Sequence, residues 1–326
     1  KSTSKPHNQN NNSVLEGLNF RFLIIHYTLS IIHYKVALEV QLYIDTIIEN
    51  LMGGKVMTEK LGLIAGDGEL PLLFAQGAKQ AGLDITAITV TPNAKTDQLQ
   101  EIVPDTKKIE VGQLDKIINQ IKEAGISEVV LLGKVTKELL FQGVELDQRF
   151  KQLVAQLPEK NDDAIMLAIV NELQEEGIKV SDQTKFMEEF FVDEGLLTTV
   201  KPTAAVVQDM EYGFKMAKEI GGLDIGQTVV VKDQAVMAVE AIEGTDQAIL
   251  RGGQLGQGEV VAAKVSKPQQ DFRFDIPTVG LQTIENLIEV DAQGLVVEAG
   301  KTFIVNQEQV ISKADEAGIA IKAVKQ

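Results

Sequence analysis

The sequence predicts an α/β protein in two parts, an N-terminal Rossmann-like parallel-sheet domain (57–193) and a C-terminal α+β domain with a mixed sheet (194–326). Three observations predict it. From Leu61 onward, short apolar runs alternate with helix-length segments, the pattern of a parallel sheet covered on both faces. Glycine-bearing turns, Gly66-Asp67-Gly68 and Gly133-Lys134, close two of those runs. Around Asp193-Glu194-Gly195 the texture changes to strands that follow one another with one short helix between them.

Residues 1–56 are expected to be a non-native or disordered extension. They open on polar low-complexity sequence, and the apolar stretch from Phe22 to Tyr34 falls short of the roughly 20 residues a membrane span needs. Met57 begins a natural start, and Gly53-Gly54-Lys55 would be encoded by purine-rich codons resembling a ribosome-binding site. The alternative is an amphipathic membrane anchor. Peptides upstream of Met57 in the mass spectrum of the native protein would overturn the first reading.

Leu61 to Ala65 reads as a buried parallel strand, Gly66 to Pro71 as a turn and Leu72 to Ala81 as a helix. Strands follow at Ile85 to Val90 and Lys108 to Val111, a helix at Gln113 to Ala124 and a strand at Glu128 to Leu132. Asn161, Asp162 and Asp163 cap a helix running to about Glu176, acids at its N-terminus as the helix dipole prefers. Ile178 to Val180 is a further strand, and Phe186 to Val192 an acidic, apolar segment leading to a break. Lys201-Pro202-Thr203 opens a helix to about Ile220. Beyond it, Thr228 to Val231, Val236 to Ile242, Val260 to Val265 and Phe272 to Ile276 read as strands, with a short helix at Asp246 to Leu250. Gly300 to Val305 and a helix from Gln307 to Ala317 finish the chain.

Composition narrows the chemistry. The 326 residues are 44% hydrophobic and 24% charged, ordinary for a globular protein of this length. A formal net charge of -16, with no basic stripe, argues against nucleic acid as a partner. Cysteine is absent, which suits a reducing cytoplasm and removes thiol nucleophiles and thiolate metal sites. His7, His26 and His33 are the only histidines, so from Met57 onward Ser-His-Asp catalysis, zinc hydrolase sites and histidine-rich binuclear centres are excluded. Chemistry there must run on carboxylates, Lys, Arg, hydroxyls and a hard metal.

Asp271, Arg273 and Asp275 alternate, so in an extended strand they share one face and Phe272 and Phe274 share the other. Two carboxylates around an arginine, preceded by Lys264 and Lys267, are what a magnesium-dependent phosphate site needs. A solvated edge strand is the alternative. The Gly66-Asp67-Gly68 loop follows a strand and opens a helix, so its amides can hold an anion, although it lacks the third glycine and the acidic strand end of a dinucleotide fingerprint; a tight βα turn with no ligand is the alternative. Lys134 sits at a parallel strand's carboxyl end, where it could meet phosphate or simply face solvent. Glu243-Gly244-Thr245-Asp246 could ligate a hard cation or merely cap a helix; capping alone explains Asp162 and Asp163.

Five stretches in order carry a family resemblance: Leu61 to Pro71, Asn161-Asp-Asp-Ala164, Asp224 to Val231, Ala241-Ile-Glu-Gly-Thr-Asp246 and Lys267 to Gly280. Together they resemble the LpxI family of UDP-2,3-diacylglucosamine pyrophosphatases of lipid A synthesis, over about residue 58 to the C-terminus. Asp67, Asn161 and Gln269 stand where the family form more often has glycine. The resemblance implies hydrolysis of UDP-2,3-diacylglucosamine to UMP and 2,3-diacylglucosamine 1-phosphate, with Mg2+ and with water attacking the phosphorus on the sugar side. It implies a substrate cleft between the two domains and a cytoplasmic protein peripheral to the inner membrane, with a homodimer left open. With no histidine available, Asp271 is expected to be the essential acid and a metal ligand, and Asp275 and Asp246 metal ligands or water positioners. Arg273 and Lys264 or Lys267 would neutralise the pyrophosphate. Gly66, Asp67, Gly68, Lys134, Glu243, Gly244, Thr245 and Gln270 complete the expected substrate contacts. Two apolar surfaces, Phe186 to Val192 and the Phe272 and Phe274 face, are candidates for the acyl chains, with ordinary core as the alternative. The competing functions are a nucleotide-sugar pyrophosphatase of other specificity and a UDP-sugar sensor without turnover.

Overall fold

The computed structural model describes residues 60–135, 145–158 and 162–325. The expectations for residues 1–56 and for the cap at Asn161 lie outside them.

The first sheet is five parallel strands, β1 (Lys60–Ala65), β2 (Asp84–Thr89), β3 (Thr106–Lys108), β4 (Glu128–Leu132) and β5 (Lys179–Ser181), in the order β3-β2-β1-β4-β5. Period-two alternation builds its two faces. Leu61, Leu63, Ala65, Ile85, Ala87, Val130 and Leu132 point to one core, with Ile88, Val90, Val129 and Leu131 to the other. Helices α1 (Leu70–Gln80) and α2 (Thr96–Ile102) cover the first face. The second is covered by α3 (Leu114–Glu123), α4 (Gln148–Ala155) and α5 (Asp162–Glu175). Strand order reverses between β1 and β4, so the crevice at their carboxyl ends is where such sheets bind ligands.

The second sheet has six strands in the order β6-β13-β11-β9-β7-β8. These are β6 (Gly195–Leu196), β7 (Thr228–Lys232), β8 (Ala235–Val239), β9 (Val261–Lys264), β11 (Gly294–Glu298) and β13 (Ala320–Val324). β9, β11 and β13 run parallel, while β6, β7 and β8 add antiparallel pairs, so the sheet is mixed as expected. A separate parallel pair joins β10 (Thr278–Val279) to β12 (Phe303–Ile304). Helix α6 (Ala204–Gly222), capped by the Thr203 hydroxyl, covers one face through Val206, Met210 and Ala217. α7 (Gly244–Gly256), α8 (Leu281–Glu289) and α9 (Gln307–Glu316) cover the other.

The halves share apolar surface. Phe303 and Ile276 belong to the same core as Leu63 and Phe74, and Phe303 meets Phe191 at 4.6 Å between ring centroids and Phe190 at 6.0 Å. Phe186, Phe190, Phe191 and Phe272 join this core, so the residues put forward for the acyl chains do ordinary packing.

The main correction is at Phe272 to Ile276, which is a turn rather than a strand. The Asp271 carboxylate accepts the Arg273 backbone N–H at 3.0 Å, and its carbonyl accepts those of Phe274 and Asp275 at 3.2 and 3.1 Å. A local aspartate turn therefore outcompetes a ladder. The expected separation of faces fails with it: Phe272 packs into the core under α1 and Phe274 against the core under α5. The third strand lies at Thr106–Lys108 rather than Lys108 to Val111, β8 ends at Val239 rather than Ile242, and α7 runs on to Gly256 rather than Leu250.

Candidate active site

The carboxyl ends of β1 and β4 are locked together by backbone. Asp67 and Lys134 exchange two N–H to carbonyl bonds of 2.9 Å. The approach is so close that a Cβ on Gly66 would lie 2.6 Å from the Lys134 carbonyl oxygen, and one on Gly133 2.7 Å from that of Asp67, so both positions require glycine. The Asp67 carboxylate accepts the Thr91 hydroxyl, fixing the loop from β2's side. Gly66, Asp67, Gly68 and Lys134 thus form one rim at the sheet's reversal point.

The opposite rim comes from the second sheet. Lys264 ends β9, buried, and its ammonium donates to the Thr245 hydroxyl at 3.1 Å and the Thr278 carbonyl at 2.8 Å. Burial pushes its pKa below the ordinary lysine value; Glu240, Asp275 and Asp246 favour the charge and Lys134 opposes it. Lys134, from the first sheet, is thus near enough to Lys264 for its charge to be felt there.

Between Lys264 and the turn lies Lys267-Pro-Gln-Gln-Asp271. The Gln270 side-chain carbonyl accepts the Lys267 backbone N–H at 2.8 Å, and its amide donates to the Asp275 carboxylate. Burial raises the pKa of Asp275, with Asp163 adding to the rise and Gln270, Lys267 and Lys264 pulling against it. Asp271 is held ionised: Arg273 donates to it from Nε at 2.9 Å and Nη2 at 2.6 Å and lowers its pKa. Lys267 binds Asp163 of α5 at 2.9 Å and Asp224 at 2.6 Å; burial works against its charge, but the two carboxylates hold its pKa well above the ordinary lysine value. A cleft of about 290 Å³ opens beside this clasp, lined by Asp163, Ala164, Leu167, Gln269, Gln270, Asp271 and Phe274.

The structure thus brings Lys134, Thr245, Asp246, Lys264, Lys267, Gln270, Asp271, Arg273 and Asp275 into one region. Glu243, which precedes α7, is engaged elsewhere: its own amide and Arg251 hold its carboxylate below the ordinary range. Among the described residues no group of three or more acidic or histidine side chains could hold a metal, so Asp246, Asp271 and Asp275 do not form a cage. That donor set still suits Mg2+, which commonly keeps waters and takes one or two carboxylates together with substrate phosphate oxygens.

Two residues were not anticipated in these positions. Glu240 is buried beside Lys264, one residue past the end of β8. Its signal was an acid inside a stretch otherwise read as apolar strand. Asp163 serves as a partner of Lys267 as well as lying in the first turn of α5, a contact 104 residues away in sequence.

Family models of the LpxI N-terminal and C-terminal domains match residues 60–190 and 193–322. A curated relative, the UDP-2,3-diacylglucosamine pyrophosphatase LpxI of Caulobacter vibrioides, is 33% identical over 276 residues, covering 81% of this chain and 97% of its own. Among solved structures, the ADP-bound biotin carboxylase domain of a thermophilic 2-oxoglutarate carboxylase aligns with 53% of this chain and 35% of its own at TM-score 0.24 and 15% identity. Isoflavone reductase aligns with 83% of this chain and 80% of its own at TM-score 0.24 and 10% identity. At those scores neither carries an argument.

Proposed function

The chain belongs to the LpxI family, and from that premise we propose that it hydrolyses the pyrophosphate of UDP-2,3-diacylglucosamine to UMP and 2,3-diacylglucosamine 1-phosphate in lipid A synthesis. The observation that carries the reading is the match of both LpxI domain models and a 33% identical pyrophosphatase, and the site supports it with two cations, Lys134 and the buried Lys264, close enough for one charge to be felt by the other. A diphosphate bound near both would relieve their mutual repulsion and be neutralised by them.

Phosphoryl transfer of this kind depends on charge neutralisation and in-line placement. Water adds to the phosphorus on the sugar side and the UMP oxygen leaves. Asp271, kept ionised by Arg273, orients that water and accepts its proton, while the remaining guanidinium N–H groups face the phosphates. Gly66, Gly68 and the amides of their loop hold the nucleotide side. Asp246 and Asp275 would hold Mg2+, which supplies further positive charge to the phosphate oxygens.

The acyl chains lie along an apolar rim, where Leu223, Ile225 and Ile242 are 69%, 48% and 70% exposed. Asp224, between the first two, reaches Lys267, so the rim borders the site. The same rim meets the inner-membrane surface, and no helix of the described residues is long and apolar enough to cross it.

Release of UMP in the presence and absence of Mg2+, with wild type and Asp271→Ala, tests the reading. The expected result is Mg2+-dependent release and a loss of at least about 100-fold in the variant, some 2.7 kcal/mol of barrier. Turnover within about threefold of wild type, worth only some 0.6 kcal/mol, removes Asp271 from its role.

A further inference from the structure

The geometry points to Glu240 and Thr245 as a hydrogen-bonded relay that aims the ammonium of Lys264 at the pyrophosphate. The assignment rests on the pyrophosphatase reading and names a part of the site that neither residue's place in a helix or strand explains.

The Thr245 hydroxyl lies 2.9 Å from Glu240 Oε1 and 3.1 Å from Lys264 Nζ. A hydroxyl has one proton, and Thr245 gives it to Glu240 Oε1, so its oxygen receives an N–H of Lys264. The direction of the chain is fixed: Lys264 to Thr245 to Glu240. Thr228, whose hydroxyl is 3.4 Å from that of Thr245, is left as donor in that contact. Lys264 gives a second N–H to the Thr278 carbonyl at 2.8 Å, so among the described residues two of its three ammonium protons are committed to protein and the third is left for a phosphate oxygen.

Glu240 is placed with little freedom. Its backbone N–H donates to the Thr228 carbonyl at 2.8 Å, and the residue is only 8% exposed. Its second carboxylate oxygen is buried without a hydrogen-bond partner among the described residues. Folding alone would not select such an oxygen, because an unpaired buried acceptor is costly, and more so when charged. A negative charge behind Thr245 has a use, however. It strengthens the donation to Thr245 and favours the cationic form of a buried lysine whose other charged neighbours are Asp246, Asp275 and Lys134.

The test is steady-state UMP release by Thr245→Val, Thr245→Ser and Glu240→Gln, with melting temperatures taken alongside. Thr245→Val keeps the shape and breaks the chain; Thr245→Ser keeps the hydroxyl; Glu240→Gln keeps an acceptor and removes the charge. We expect Thr245→Val to lower kcat at least tenfold with KM changed less than threefold, Thr245→Ser to recover kcat to within threefold of wild type, and Glu240→Gln to lower kcat at least fivefold. If Val and Gln variants stay within twofold of wild type, or if Ser fails to recover what Val loses, the relay is wrong. Wild-type protein that releases no UMP defeats the pyrophosphatase reading instead. The relay is then judged by calorimetric affinity for UDP-2,3-diacylglucosamine, which Thr245→Val should weaken at least fivefold and Thr245→Ser should not. Equal affinities, or no binding by wild type, overturn it.

Discussion

Gly226 is the position where a single methyl group should separate packing from chemistry. A Cβ there would lie 2.1 Å from the Glu240 carbonyl oxygen and 2.8 Å from its carbon, about an ångström short of ordinary contact, with backbone on the receiving side. Gly226→Ala must therefore move the segment entering β7, or Glu240, or both. Overpacking of this kind costs about 1–3 kcal/mol. At roughly 2–4 °C per kcal/mol for a body of this size, the melting temperature should fall by about 2–12 °C. The displaced residue is the one behind Thr245 and Lys264, and a misplacement near 1 Å can cost about 10²-fold in rate. Gly222→Ala is the control: its Cβ would meet nothing nearer than Pro268 Cγ at 3.8 Å, and it lies in the last turn of α6, where alanine is favoured over glycine by about 0.5–1 kcal/mol. Calorimetric melting and UMP release, measured on both variants, decide the matter. Gly226→Ala melting within about 1 °C of wild type with turnover within threefold would falsify the reasoning, as would equal losses in Gly222→Ala.

Asp275→Asn should stabilise the protein at neutral pH in chelator while impairing turnover. Burial raises the Asp275 pKa, so its contribution to stability is full below the unfolded value and is lost as pH rises through the folded one. At neutral pH the buried carboxyl is therefore a net cost that asparagine removes, and the gain should vanish once pH falls below the unfolded carboxyl's range; a lower melting temperature at pH 7 contradicts this. Glu298→Gln leaves the buried Lys218 without its charged partner, which lies at 3.0 Å, and leaves one side-chain acceptor where Lys218 and the Ser266 backbone N–H use two. Urea unfolding should show a loss of about 3–5 kcal/mol, and a loss under about 1 kcal/mol contradicts the buried pair's role.

Much of the first sheet could be read from the chain because its strands are local apolar runs with glycine ends. Glu128 to Leu132 was delimited to the residue. The centre of the second sheet was harder: β11 and β13 pair with each other across more than twenty residues, and no nearby turn announces them. The alternation of Asp271, Arg273 and Asp275 misled because charges two apart suit a strand and an aspartate turn equally, and only the carboxylate's bond to the Arg273 amide decides. Lys264 was recognisable as a cation near the motif, but its distinction from Lys267 was not. That difference lies in Asp163 and Asp224, which reach Lys267 from 104 and 43 residues away. Glu240 was hidden because a strand expected to continue to Ile242 ends at Val239.

The aromatic knot around Phe303 bears on how the protein is made. A ribosome delivers all five strands of the first sheet by residue 181, yet the core above that sheet is closed by a side chain more than a hundred residues later. Until Phe303 arrives, Phe190 and Phe191 have lost a partner that is itself wholly buried in the finished molecule. The nascent N-terminal half should therefore linger with an open apolar face, sticky and a natural client for chaperones, and should become quiet only near the end of synthesis.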